Sequence, residues 1–192
     1  MAKVKSVAVG GDRTVWCVDV NGRLYKWDSG QWRRNPTAIA VEVAVGRANN
    51  VWCRNSLGDL FVATSAGWDT GWQRLSDFPG NELRSISANI DGELWLVNGQ
   101  REVWRWRSNQ WTTPGSARDG QLVSSGSSSR VCYVNQSGAL KLSGVDVGGL
   151  TWAAVRKPTL NGVEVTLRSV SYSVEGPIWA TDTNDNIYKR GR

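Results

Sequence analysis

The sequence contains no histidine. That excludes Ser–His–Asp and Cys–His nucleophilic sites, and with them every histidine metal site. No phosphate-cradling glycine loop is present either. The nearest string, GVDVGG at Gly144–Gly149, lacks the Lys–Ser/Thr pair and the helix that should follow. No nucleic-acid-binding motif occurs, so no specific nucleic acid is expected as partner. No apolar run is long enough to span a bilayer, which argues against membrane insertion. The N-terminus MAKVKSVAVG has no apolar stretch of the secretory kind. A cytoplasmic location, or export without a classical signal peptide, is expected. Three cysteines do not make a disulfide framework, and all three are expected as buried thiols. Paired carboxylates such as Asp69 with Asp77, or Asp182 with Asp185, lie in turn-like contexts and read as solvated turn formers. The chain is therefore expected not to be an enzyme, and no cofactor or metal is implied.

What is present is tryptophan: twelve, against two phenylalanines. Hydrophobic residues make up 40% of 192, enough for one globular domain over residues 1–192. The net charge of +6 is spread along the chain and reads as solvated surface.

The stretch VAVGGDRTVWCVDVNGRLYKW (Val7–Trp27) recurs four times without a gap, at Val43–Ala63, Ile86–Trp106, Val123–Ser143 and Val170–Arg190. A unit repeating every ~35–50 residues signals a solenoid, propeller or array. Its columns are an opening apolar residue (Val7, Val43, Ile86, Val123, Val170) followed by a small one (Ala8, Ala44, Ser87, Ser124, Ser171). Next come a second apolar column and a mostly tryptophan column (Trp16, Trp52, Trp95, Cys132, Trp179), whose tryptophans are expected to pack in the core. Three residues on sits Asp or Asn (Asp19, Asn55, Asn98, Asn135, Asp182). The last apolar column is Leu24, Leu60, Val103, Leu140 and Ile187, followed by Tyr25, Phe61, Trp104, Lys141 and Tyr188.

The alternation has period two and its apolar members are β-branched or aromatic, so each unit predicts strand–turn–strand–turn–strand. The Asx column and the glycines after it (Gly22, Gly58, Gly99, Gly138) supply the second turn. Small residues in the second column suit innermost strands crowding an axis. Trp32, Trp72, Trp111 and Trp152 follow the units and predict an outer strand packed between blades. Pro36, Pro79, Pro114 and Pro158 predict turns leading inward. Four strands per unit is a propeller blade. The expected fold is all-β, a five-bladed β-propeller with blades at about 5–36, 41–79, 83–114, 121–158 and 165–192. The last blade is expected to have three strands. Either Lys189, Arg190 and Arg192 blunt its bare edge, or that edge sits in a homo-oligomer contact.

The pattern V-A-V-G…V-W-x-V-x-x-N-G-x-L-Y-x-W…W, as it stands in VAVGGDRTVWCVDVNGRLYKWDSGQW, resembles the tectonin repeat over nearly the whole chain. Tectonin and tachylectin proteins are β-propeller lectins, so the resemblance implies a multivalent carbohydrate-binding protein with sites on loops or in clefts between blades. Other tectonin repeats serve as interaction scaffolds, which keeps a protein–protein scaffold open as the alternative. The expected partners are glycans, as glycoprotein, glycolipid or polysaccharide. Sugar rings stack on exposed indoles, and the expected stacking residues are Trp27 and Trp32, Trp68 and Trp72, and Trp106 and Trp111. The expected polar partners are Asp28, Arg33, Asp69, Arg105 and Asn109.

Overall fold

Arg192, expected at the edge of blade five, lies outside the residues that the computed structural model describes, which are 3–146, 149–175 and 177–190. Among them the only helical turn is a 3-10 turn at Pro114–Ser116. Blade one is β1 (Val4–Val9), β2 (Val15–Asp19), β3 (Arg23–Asp28) and β4 (Gln31–Ile39). Blade two is β5 (Glu42–Arg47), β6 (Asn50–Arg54), β7 (Leu60–Ala63) and β8 (Trp72–Leu75). Blade three is β9 (Leu83–Ala88), β10 (Leu94–Asn98), β11 (Val103–Arg107) and β12 (Gln110–Thr112). Blade four is β13 (Gly120–Ser127), β14 (Arg130–Asn135), β15 (Leu140–Asp146) and β16 (Gly149–Ala154). A short hairpin, β17 (Thr159–Leu160) with β18 (Val163–Glu164), leads to blade five: β19 (Leu167–Tyr172), β20 (Ile178–Asp182) and β21 (Ile187–Arg190). Every blade is an antiparallel meander in chain order, and the fifth has three strands. The five-bladed propeller expected from the repeats is the observed fold.

The Asx column sets the second turn of blades one, two, four and five through one device. In blade one Asp19 Oδ1 accepts from the amides of Asn21 (2.8 Å) and Arg23 (2.9 Å). Asn55, Asn135 and Asp182 repeat both bonds, to the amides two and four residues on. The residue three past the Asx is left-handed: Gly22, Gly58 and Gly138 in three blades, but Arg101 (φ 67°) and Asp185 (φ 63°) in the others. Gly99 therefore does not fill the role its position suggested.

Alternation along the strands gives each blade two apolar faces. The tryptophan-column face meets the following blade: Trp16 packs with Val43, Val51 and Cys53 of blade two, and Trp95 with Val123, Val131 and Tyr133 of blade four. The small column lines a central cavity of about 530 Å³ with Ala8, Ala44, Ser87, Ser124 and Ser171. Hydrogen bonds cross the junctions as well, from the Ala48 amide to Asp12 Oδ2 (2.7 Å) and from the Ser128 amide to Asp91 Oδ2 (2.7 Å). All three cysteines are buried and none is in a disulfide. Burial pushes the thiol of Cys17 up to about 11 and that of Cys53 to about 12.

Four junctions are built this way, but the side of blade five turned from blade four is bare. Trp179, expected in the core with its column, is 45% exposed, and Ile187 on β21 is 71% exposed. The matching side of blade one exposes Val7 (61%) and Val9 (62%), although their equivalents Val43 and Val45 are buried. Trp179 instead carries the ammonium of Lys189 at 5.2 Å from its ring centre. The core reading failed there because a tryptophan column is buried only where a following blade covers it. Pro36 also departs from expectation. It lies inside the edge strand β4, opposite a register shift in β3, rather than in a turn.

Candidate functional site

Asn35 organises the outer end of the junction between blades one and two. It is fully buried. Its Nδ2 donates to the carbonyls of Trp68 (3.0 Å) and Thr70 (2.9 Å), and its Oδ1 accepts from the Ala38 amide (2.9 Å). The ammonium of Lys26 donates to the Ala66 carbonyl (2.6 Å). One buried amide and one lysine of blade one thus pin the blade-two loop 64–71. That fixes Trp68, half-buried, beneath the guanidinium of Arg33, whose Cζ lies 5.7 Å from the ring centre. Arg33 Nε also lies 3.0 Å from Asp28 Oδ2, and both side chains are more than a third exposed. The result is an aromatic ring, a cationic fork and a carboxylate that meet at the protein surface. Asp69 is exposed on the same loop.

The other expected residues are placed differently. Trp27 and Trp32 face each other across β3 and β4 as an edge-to-face pair with ring centres 5.3 Å apart. They lie on the blade-one side turned from blade two, and Trp27 is 45% exposed. Trp72 belongs to the junction core. It meets Trp16 edge-to-face at 6.0 Å, and its Nε1 donates to Asn35 Oδ1 (3.4 Å). Trp72 also walls a cleft of about 390 Å³ with Thr37, Ile39, Cys53 and Phe61. Trp106 and Trp111 meet as tilted rings with centres 4.9 Å apart, half-buried against blade two. Arg105 lies on the opposite face of blade three, its Cζ 5.7 Å from the Trp95 ring. Asn109 is an exposed turn residue with φ 60°. The blade-three set is therefore divided between two junctions, and the blade-one and blade-two set is joined only through Arg33.

Two groups were missed in the sequence reading. Asn35 carries no marker beyond the proline after it. Glu102 did have a signal, because Asn89-x3-Glu93-x-Trp95 and Asn98-x3-Glu102-x-Trp104 share one spacing. Glu102 Oε2 accepts from Asn98 Nδ2 (2.9 Å) and from Trp104 Nε1 (3.0 Å). The Asn98 bond, then the Trp104 bond, hold its carboxyl below the usual range. A cavity of about 120 Å³ beside Trp104 is lined by Glu102, Thr113 and Arg118. Among the described residues no cluster of metal-ligating side chains occurs, and no helix is long and apolar enough to cross a membrane.

The tectonin domain model matches residues 1–141 and 39–192, which together take in the whole chain. The chain belongs to the tectonin family. No curated protein matches this tectonin chain. Among solved structures it is similar to YCF48 bound to D1 peptide, with 17% identity and TM-score 0.60, covering 98% of this chain and 63% of that one. It is similar to the SapL1 lectin in complex with alpha methyl fucoside, with 14% identity and TM-score 0.60, covering 97% and 75%. It is also similar to U3-55K, with 8% identity and TM-score 0.68, covering 100% and 62%. These likenesses concern the fold. The tectonin chain spans about two thirds of the length of these propellers, less for two of the three.

Proposed function

We propose that the protein is a non-enzymatic carbohydrate-binding propeller, with one site in the outer cleft between blades one and two. A sugar ring lies on the exposed part of the Trp68 indole, whose face suits the axial C–H groups of a pyranose. Arg33 donates to ring hydroxyls and Asp28 accepts from them. The observation that carries this reading is the Arg33 guanidinium, held between the Trp68 ring at 5.7 Å and Asp28 at 3.0 Å. A fork paired on one side keeps donors for a ligand, and its planar geometry is fixed before binding. Tectonin membership and a lectin among the structural neighbours support the same class. Trp27 with Trp32, and the Trp104–Glu102–Arg118 cavity, are secondary candidates. Engagement of several weak sites raises avidity by orders of magnitude without new contacts.

A glycan array carrying neutral, acidic and methylated sugars, with α-methyl fucoside among them, tests the proposal. Binding that quenches or shifts tryptophan emission, and that Trp68→Ala and Arg33→Ala weaken at least tenfold, supports it. An array with no bound sugar overturns it.

The second reading is a protein–protein scaffold. The bare apolar faces at Val7, Val9, Trp179 and Ile187 favour it. Under that reading the protein's size in solution changes with a partner protein and is indifferent to simple sugars.

A further inference from the structure

Blades two to four each close the junction behind them with an outer-strand tryptophan. Trp72 pairs with Ala63, Trp111 with Trp106 and Trp152 with Ser143. In every case the partner is the third residue after the last apolar column: Leu60, Val103 and Leu140. Each of these indoles packs towards the preceding blade. The same count in blade five runs from Ile187 to Arg190. There β21 pairs with β20 alone, and no strand among the described residues covers its other edge.

The junction behind blade five holds a cavity of about 240 Å³. Its walls include Leu140, Ile178, Ala180 and Tyr188. Column for column these are the equivalents of Leu24, Val51, Cys53 and Phe61, the residues gathered around Trp72 at the first junction. Arg190 stands at the cavity's edge. An unpaired strand edge and an apolar cavity therefore coincide at the register position where the fold elsewhere puts an indole. The rim is cationic, with Arg156 and Arg190 both lining the cavity.

We propose that β21 and this cavity form a docking site for an extended, acidic, tryptophan-bearing segment of a partner protein. The segment adds antiparallel to β21 as the fourth strand of blade five. Main-chain bonds along the edge supply affinity, and the side-chain pocket supplies specificity. Its tryptophan sits opposite Arg190 and enters the cavity, while its carboxylates meet Arg156 and Arg190. The proposal stands apart from the sugar reading, because the two sites lie on different junctions.

The probe is a labelled peptide with the chain's own outer-strand sequence, Ser29–Thr37, carrying Arg33→Glu and Arg34→Glu. Fluorescence anisotropy is expected to show saturable binding that weakens with salt. Trp32→Ala in the peptide, or Arg190→Glu in the protein, is expected to weaken it at least tenfold. Ala180→Trp, which fills the cavity from within, is expected to do the same. Hydrogen exchange on the unmodified protein is expected to slow at the amides of β21 when the peptide is added. That measurement does not depend on any variant folding. Absence of binding, equal binding by the Trp32→Ala peptide, or protection elsewhere than β21 overturns the proposal. Concentration-dependent self-association that Ala180→Trp removes also overturns it, because the occupant is then a second copy.

Discussion

The junction between blades one and two and the junction between blades four and five are built from the same columns, yet they are filled differently. At the first, Trp16 from one blade and Trp72 from the next meet edge-to-face over Val43, Val51 and Cys53. At the fourth, the tryptophan column holds Cys132 and no outer strand pairs with β21 among the described residues, so neither indole is found there. The lesson is that a blade here is not a self-sufficient unit. Each contributes half of two interfaces, and large aromatics fill them where both halves are complete, as repeat architectures require.

Loss of an indole is the largest expected effect that separates covered from uncovered faces. Trp95 is fully buried against blade four, so Trp95→Ala is expected to lower stability by about 3–5 kcal/mol. Trp179→Ala, in the same column but 45% exposed, is expected to cost less than about 1 kcal/mol. Denaturant unfolding followed by far-UV circular dichroism measures both. Equal losses would mean that a following blade covers Trp179 in solution.

An enlargement made at each junction sharpens the comparison further. Val51→Phe adds volume where Trp16 and Val43 already pack, and is expected to cost about 1–3 kcal/mol. Ala180→Leu makes a similar change beside the 240 Å³ cavity and is expected to stabilise by about 1 kcal/mol. A loss at both positions would show that the fourth junction cannot accept added volume.

Arg33→Ala addresses the surface of the first junction rather than its core. The exposed pair with Asp28 contributes only ~0–1 kcal/mol to stability, so the melting temperature is expected to stay nearly constant. Sugar binding is expected to weaken at least tenfold, as read by a tryptophan-fluorescence titration. A large fall in stability would instead make Arg33 a structural clamp on the loop 64–71.

The repeat was legible because strand burial acts on every second residue, and five copies of one alternation leave little freedom of register. The Asx turns were legible because one side-chain bond pattern fixes them. The distinction between equal-looking tryptophans was not. Trp27–Trp32 and Trp106–Trp111 occupy the same columns and pair across the same strands. Only the second pair has a blade in front of it, and the presence of a neighbour is not a local property of sequence. Asn35 was hidden for a related reason. Its partners, the carbonyls of Trp68 and Thr70, are backbone groups more than thirty residues away, and any residue type can supply a carbonyl.

The smallest effect lies in the Asx turns, where blade five reverses a pairing used by blades two and three. There an asparagine amide donates to the acid four residues on: Asn55 to Asp59 and Asn98 to Glu102, both at 2.9 Å. In blade five the acid comes first, and Asp182 Oδ2 accepts from Asn186 Nδ2 (2.9 Å) and Tyr188 Oη (2.8 Å). The Asn186 bond, followed by that of Tyr188 and the amides of Asn186 and Asn184, holds the Asp182 carboxyl down at about 2, against 3.8 for an ordinary aspartate. A depressed folded-state pKa favours the ionised native form. Its contribution is complete above 3.8 and is lost as pH falls through about 2. Asp182→Asn is therefore expected to leave the turn formed, as the asparagines at the same column of blades two and four do, and to shrink the loss of stability between those two pH values. Adding Asn186→Asp recreates the order of blade two and is expected to restore the acid limb, since the carboxylate then accepts from an amide at position 182. Unfolding midpoints measured across that pH range for the single and double variants test the swap. A double variant that matches the single one would mean that Tyr188, rather than the Asx pair, carries the effect.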